Sequence, residues 1–311
     1  MQVIRGVPAL SPALSTTPCA LTIGNFDGVH LGHQAMLAQL RAAAEVRKLP
    51  ACVMTFEPHP REFFTPDDAP TRMTTLREKL ELLASFGVDK TYVCRFNKNF
   101  SSLSAQDFID DLLVRRLQTK WLLVGDDFRF GAKRAGDFAF LTEAATRSGF
   151  ELAKMQSFTH KGERVSSTAV RNALARGDLA RAQELLGRAY SISGRVMHGN
   201  KLGREIGFPT ANIQMRHNRP PLKGIFAVHL HVAENGVLTG VASLGLNPTV
   251  SDNASAKLEV HVFDFDGDLY GKHVQVEFLK KLRDEEKYTD LEKLKKQIQI
   301  DADQARIFLS S

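Results

Sequence analysis

The sequence predicts two domains of different class: an α/β domain on a parallel sheet, then a small antiparallel β-barrel that ends in a helix. Three observations lead there. As far as Gly187, short apolar strands alternate with helical segments, the mark of βαβ units whose sheet is covered on both faces. From about Tyr190 the pattern changes to short strands separated by turn signals, Asn235-Gly236, Asn247-Pro248 and Asp266-Gly267. And 311 residues are too many for one ordinary core but fit two. The expected division is 1–187 and 188–311, with Gly187 stopping a helix at a short, rigid boundary.

Taken in order, the first half offers strands at Ala20–Gly24, Ala51–Phe56, Thr91–Phe96, Trp121–Gly125 and Phe150–Met155. Between them lie helical patterns: one running to about Arg47, one opened by a Thr75/Glu78 capping box, and one opened by Ser104 and Asp107. Two short helices, around Ser167–Arg176 and Leu179–Leu186, close this half, with Ser167 and Thr168 read as an N-cap. The second half offers strands at Ser191–Val196, Ile225–Ala233, Val237–Leu244, Lys257–Phe263 and Val274–Leu282. Val228–Val232 alternates residue by residue, as a strand with one wet face does. A final helix is expected from Thr289, with Glu292 completing a capping box, to Phe308. Its apolar face carries Leu291, Leu294, Ile298 and Ala302.

Composition narrows the class. Hydrophobic residues make up 43% and charged residues 24%, a soluble globular balance. No apolar run approaches the roughly 20 residues of a membrane span, and no signal peptide is read at the N-terminus. Three dispersed cysteines, Cys19, Cys52 and Cys94, form neither a disulfide framework nor a zinc motif. A reducing cytoplasm is the expected compartment. The net charge of +6 is scattered rather than gathered into a stripe, so neither a nucleic-acid nor a membrane partner is expected, and a monomer is the default.

Gly24–His33, GNFDGVHLGH, falls where the first strand turns into a helix. Its glycines let backbone approach a ligand closely, and a helix N-terminus presents unpaired N–H groups and partial positive charge. His30 and His33 sit at that anion-binding end, where imidazoles donate to phosphate oxygens. The bland alternative is two surface histidines on a first helical turn. Thr55–Pro60, TFEPHP, follows the second strand; it reads either as a proline-rich turn or as a stiff apolar wall built from Phe56 and Pro58. The loop Val124–Asp137 carries Asp126, Asp127, Arg129 and Arg134, which on a bland reading are ion pairs, together with Phe128 and Phe130.

The histidine-bearing stretch resembles the HxGH signature of nucleotidyltransferases with a Rossmann-like fold. Its longer form, with Gly24, Asn25, Phe26, Asp27 and Gly28, resembles the bacterial FAD synthetase module. The resemblance implies that these residues, with His30, His33, Asp127, Arg164, Ser167, Thr168 and Arg171, hold ATP. It also implies that Phe56, Pro58 and Phe130 face a flavin. FMN phosphate would attack the α-phosphorus of ATP and release pyrophosphate, with His30 and His33 as catalytic donors.

In the second half, Ser193–Ile213 interleaves glycines with basic residues and leads into PTAN, Pro209–Asn212. No Walker A sequence is present. Thr210 and Asn212 stand two apart, so on a strand both face one way and supply hard oxygen ligands that suit Mg²⁺; a turn after Pro209 is the other reading. Glu259 sits on a strand whose Leu258, Val260 and Val262 point to the opposite side.

This arrangement resembles riboflavin kinase. The resemblance implies Gly194, Gly199, Lys201, Gly203 and Arg204 at the phosphates, Thr210 and Asn212 as Mg²⁺-ATP ligands, Phe208 beside the flavin, and Glu259 as general base to the ribityl hydroxyl. Three positions depart from the family pattern: Phe226 replaces the usual Tyr, Ser243 the usual Asn, and Asn247 the usual Arg. Both signatures occur in the order of the bacterial bifunctional riboflavin kinase/FAD synthetases. Riboflavin, FMN, FAD and ATP are then the expected ligands, with Mg²⁺ accompanying ATP. Two other readings stand beside it: an HxGH adenylyltransferase for another phosphate acceptor with an accessory barrel, and a two-domain nucleic-acid binder.

Overall fold

Cys19–Ile23 (β2) is buried at all five positions, the signature of a central strand covered on both faces. Its residues alternate between two cores. Cys19, Leu21 and Ile23 join Cys52, Ile109 and Leu122, while Ala20 joins Leu37, Leu40 and Val53. The computed structural model describes residues 1–6, 17–198, 207–217, 219–246 and 256–310. The chain packs as two units, Met1–Pro70 with Leu76–Val165, and Thr71–Thr75 with Ser166–Ser311.

The first unit holds a six-stranded parallel sheet in the order β1-β4-β3-β2-β5-β6. Its strands are β1 (Gln2–Arg5), β2, β3 (Ala51–Glu57), β4 (Lys90–Arg95), β5 (Thr119–Gly125) and β6 (Glu151–Met155). Strand β1 is an addition to the expected set: four residues, three of them exposed, carry no period on which to predict an edge strand. Helix α1 (Leu31–Arg47) buries Leu37, Leu40 and Ala44 on one face. Ser104 caps its helix as expected, accepting from the Asp107 N–H at 3.0 Å. That helix then widens to π geometry over Phe108–Arg116, which turns Phe108, Ile109, Leu112 and Leu113 into the core. All three cysteines are buried and free, and burial pushes the Cys94 thiol up to about 12.

In the second unit six strands close an antiparallel barrel in the order β10-β13-β12-β11-β14-β9. They are β9 (Tyr190–Met197), β10 (Ala211–Gln214), β11 (Gly224–Val232), β12 (Gly236–Leu246), β13 (Ala256–Val262) and β14 (His273–Arg283). β7 (Thr159–His160) and β8 (Glu163–Arg164) form a separate hairpin in the first unit. Ile192, Phe226, Val228, Leu258, Val260 and Phe278 are buried in the barrel unit. A Cβ on Gly194 would come within 2.5 Å of the Gln214 carbonyl, so that glycine is required by the close approach of β9 to β10.

Two caps differ from expectation. Ser166, not Ser167 or Thr168, caps the helix Ser167–Arg176, accepting from the Ala169 N–H. Asp290, not Thr289, caps the C-terminal helix Leu291–Leu309, its carboxylate accepting from the N–H groups of Glu292 and Lys293. That helix buries Asp301, Ala302 and Ala305, while Leu291 is exposed. Arg283 on β14 grips Asp301 with two hydrogen bonds, at 2.9 and 2.7 Å.

The packing boundary at Val165/Ser166 lies ahead of the change of pattern at Gly187. The helices Ser167–Arg176 and Leu179–Leu186 bury Val170, Leu174, Leu179 and Leu186 within the barrel unit. Arg171 Nε and Tyr190 Oη in turn hold the carbonyls of Thr71 and Met73, which draws the segment Thr71–Thr75 into the same unit.

Two outcomes test these packing arguments. Asp301→Ala leaves Arg283 without its partner and should lower barrel stability by about 3 kcal/mol, read as faster amide exchange along β14 and the C-terminal helix. Cys94 should resist iodoacetamide at neutral pH until the protein is unfolded; rapid alkylation of native protein would contradict its burial.

Two candidate active sites

The strand order places a reversal beside β2. From β2 the chain moves through β3 and β4 to one side, then crosses to β5 on the other. Loops leaving the carboxyl ends of β2 and β5 therefore diverge and open a crevice between them. Gly24–His30 leaves β2 and Gly125–Asp137 leaves β5, so two of the predicted segments meet the same sheet edge.

The β2 loop is tightly wound. Phe26 and Val29 hold left-handed φ values of 49° and 40°, and both are fully buried. Such conformations cost on the order of 1–3 kcal/mol each, and here the core holds them. Asn25 Oδ1 is buried without a hydrogen-bond partner among the described residues, an acceptor set aside from the fold. His30, only 6% exposed, caps α1: its Nδ1 accepts from the His33 N–H at 3.3 Å. An accepting Nδ1 places the proton of a neutral ring on Nε2. The His33 ring stacks on it at 3.7 Å between centroids and 14° between planes, and Phe26 backs His33 at 5.0 Å. A Cβ at Gly32 would lie 3.2 Å from the His30 ring, a tight contact that the ring would relieve by moving a few tenths of an ångström. The reading as two surface histidines does not hold: His30 is both buried and a cap.

On the β5 loop, Arg164 Nη2 pairs with Asp127 at 3.1 Å and lies 3.9 Å from Asp126. The Ser157 hydroxyl, aided by Arg164, holds the Asp126 carboxyl below the usual carboxylate range. Arg129 pairs with Asp137, the cap of the helix Phe138–Ser148. The ion-pair reading of this loop is thus realised for Asp126, Asp127 and Arg129, but not for Arg134 among the described residues. Phe130 is buried against Phe108, Phe128 and Phe140, whereas Phe128, stacked on it at 5.6 Å, is half-exposed. Phe130 therefore braces the loop, and Phe128 is the ring with a face toward solvent.

At the β3 end, Phe56 packs edge-on against Phe96 at 5.8 Å and lies 5.5 Å from Phe100; Pro58 beside it is half-buried. Phe63 and Phe64 extend the group from the short helix Pro60–Phe64, and Phe64 is 62% exposed. Sequence reasoning found Phe56 but missed this aromatic company; the pairs Phe63-Phe64 and Phe96/Phe100 were its only signal. Ser167, Thr168 and Arg171 lie on the helix that opens the second unit, where the Arg171 guanidinium spends one N–H on Thr71.

The barrel carries the other constellation. β10 pairs antiparallel with β13 so that Asn212 stands opposite Glu259, and Ser243 on β12 flanks Glu259 from the other side. Leu258 and Val260 point into the barrel; Glu259 is half-exposed on its outer face, where Lys257 Nζ holds its Oε2 at 2.9 Å. Thr210 immediately precedes β10, so the strand reading of PTAN holds from Ala211 onward. Phe208 meets the His261 ring at 5.5 Å. Of the departures from pattern, Phe226 is fully buried against Phe278, whereas Ser243 donates to Glu285 at 2.9 Å beside Glu259. Gly199, Lys201, Gly203, Arg204 and Asn247 lie outside the described residues.

Comparison with known proteins decides the family. The FAD synthetase family model matches residues 13–169 and the riboflavin kinase model residues 186–309. The bifunctional riboflavin kinase/FMN adenylyltransferase of Escherichia coli (strain K12) is 51% identical over 99% of this chain and 98% of its own length. This chain belongs to the bifunctional riboflavin kinase/FMN adenylyltransferase family. The Haemophilus influenzae member is 46% identical over the full length of both chains. A solved structure named as a macrolide-efflux protein from Streptococcus pneumoniae shares the fold at a TM-score of 0.81, with 28% identity and 97% of each chain covered. The efflux named there belongs to that protein; among the described residues here, no helix is long and apolar enough to cross a membrane. As a bifunctional riboflavin kinase/FMN adenylyltransferase, the chain phosphorylates riboflavin to FMN with ATP and adenylylates FMN to FAD. The accessory-barrel and nucleic-acid readings give way to it.

Gly32→Ala should crowd the His30 ring and lower FAD formation several-fold, about tenfold at most, while FMN formation continues at the parent rate. Chromatographic separation of the two flavins reads both activities in one reaction.

Proposed function

We propose that the two reactions are divided between the two constellations, with residues 1–187 serving adenylylation and 188–311 phosphorylation, in a cytoplasmic monomer. The observation that carries the kinase assignment is the register of β10 on β13, which sets Asn212 directly opposite Glu259. Cross-strand partners lie about 4.5–5.5 Å apart, close enough for a metal-phosphate ligand and a base to serve one substrate.

In the kinase, Glu259 accepts the proton of the ribityl 5′-hydroxyl as that oxygen bonds to the γ-phosphorus and the bond to the ADP oxygen breaks. Thr210 and Asn212 offer a hydroxyl and an amide oxygen, hard donors of the number Mg²⁺ takes from protein when phosphates supply the rest, so the donor set fits. Bound there with ATP, Mg²⁺ would neutralise charge on the phosphates. Phe208 packs beside the flavin. Gly194 supports the strand, and Gly199, Lys201, Gly203 and Arg204 are assigned to the phosphates by the family pattern alone.

In the adenylyltransferase, no protein nucleophile is required, because the FMN phosphate is already anionic. Its oxygen bonds to the α-phosphorus of ATP, and pyrophosphate leaves. The α1 terminus, the His30 Nε2–H and His33 meet the charge that develops on the phosphates. Asn25 contributes its unused acceptor, and Gly24, Phe26, Asp27 and Gly28 shape the backbone around it. Asp127 orients Arg164, which serves the phosphates; Ser167, Thr168 and Arg171 are assigned to them by the family pattern alone. Phe56 and Pro58 form the flavin wall, with Phe130 behind Phe128.

The test is a time course with riboflavin, ATP and Mg²⁺. Glu259→Gln should lower FMN formation by about 10²–10⁴-fold yet still convert supplied FMN to FAD. Replacing His30 and His33 together with Asn should do the reverse. Unchanged turnover in either variant removes that residue set from the mechanism.

A further inference from the structure

β10 pairs with β13 only from Ala211 onward, where Ala211 stands opposite Val260. Two residues ahead stands Pro209, whose nitrogen has no N–H to offer a neighbouring strand. A side chain takes over. His261 Nδ1 lies 2.8 Å from the Pro209 carbonyl. A carbonyl only accepts, so Nδ1 carries the proton and donates. The ring is set at this angle by two phenylalanine neighbours, Phe208 at 5.5 Å and 77°, and Phe263 at 5.7 Å and 74°. Thr210 therefore sits between two fixed points, the Pro209 carbonyl held by His261 and the first ladder residue, Ala211.

We propose that His261 is a positioning residue of the kinase site, which fixes Thr210 for Mg²⁺-ATP by hydrogen-bonding the Pro209 carbonyl where strand pairing ends. This rests on the reading of Thr210 as a ligand of Mg²⁺-ATP. His261 stands two residues after Glu259, on the same outward face of β13. One strand thus carries the general base and the pin for the metal-binding segment, and the register that aligns Asn212 with Glu259 also brings His261 to Pro209.

Two substitutions separate the hydrogen bond from the ring. His261→Phe keeps an aromatic ring between Phe208 and Phe263 but has no donor; His261→Asn loses the ring but places an N–H near the position of Nδ1. In the full-length protein, without flavin, Mg·ADP affinity is measured by calorimetry and amide exchange is followed across Phe208–Asn212. His261→Phe should weaken Mg·ADP about three- to tenfold and speed exchange in that segment, and His261→Asn should recover most of both. With riboflavin added, the Phe variant should lose kcat/KM for ATP with little change in KM for riboflavin; FMN adenylylation in the same preparation is the folding control. Parent-like affinity and exchange in the Phe variant, or an Asn variant worse than the Phe variant, would overturn the proposal. Thr210→Ala separates the two levels. If it binds Mg·ADP as the parent does, the ligand reading falls and takes this one with it; if it binds weakly while His261→Phe does not, only the role of His261 falls.

Discussion

Side chains on a strand alternate between its faces, so a slip of one residue between β10 and β13 would turn Glu259 into the barrel and Leu258 out to solvent. Burying a carboxylate there and exposing a leucine are both unfavourable, and the interior contributed by Leu258 and Val260 excludes that register. The alignment of the residues proposed for the kinase is thus fixed by packing on the opposite face of the strand. Asn212, Ser243 and Glu259 are aligned because their neighbours must be inside.

The first unit obeys a related rule at larger scale. Its sheet is covered on both faces, so polar loops gather at the strand ends, and the reversal beside β2 opens a crevice between the loops that leave β2 and β5. The β2 loop then turns through two left-handed residues whose side chains are anchored in the core. Fold stability here holds a strained backbone in place, and the loop's histidines, cap and unused Asn25 oxygen are arranged by it.

Much of this was legible in the sequence because the relevant signals are local. Gly24–His33 announces a strand, a turn and a helix start within ten residues, and Leu258–Val260 shows the alternation that turns Glu259 outward. What stayed hidden depends on distance along the chain. Nothing near His261 indicates that it reaches Pro209, and nothing near Phe56 indicates Phe96 or Phe100. The caps were missed by one residue: in runs such as Ser166-Ser167-Thr168, several side chains have the right chemistry, and only backbone angles choose among them. The helical period after Val165 does not say which core the buried faces of these helices join, and they pack with the barrel.

The use of His30 Nδ1 as a helix cap bears on how the adenylyltransferase lets go of its products. A ring that accepts through one nitrogen and donates through the other carries no net charge. In the role proposed for it, His30 meets the leaving pyrophosphate with a dipole rather than a full positive charge. A neutral donor holds an anion less firmly than an ionised one. On that proposal, the contact that begins the helix would also limit how tightly the ring holds the departing anion.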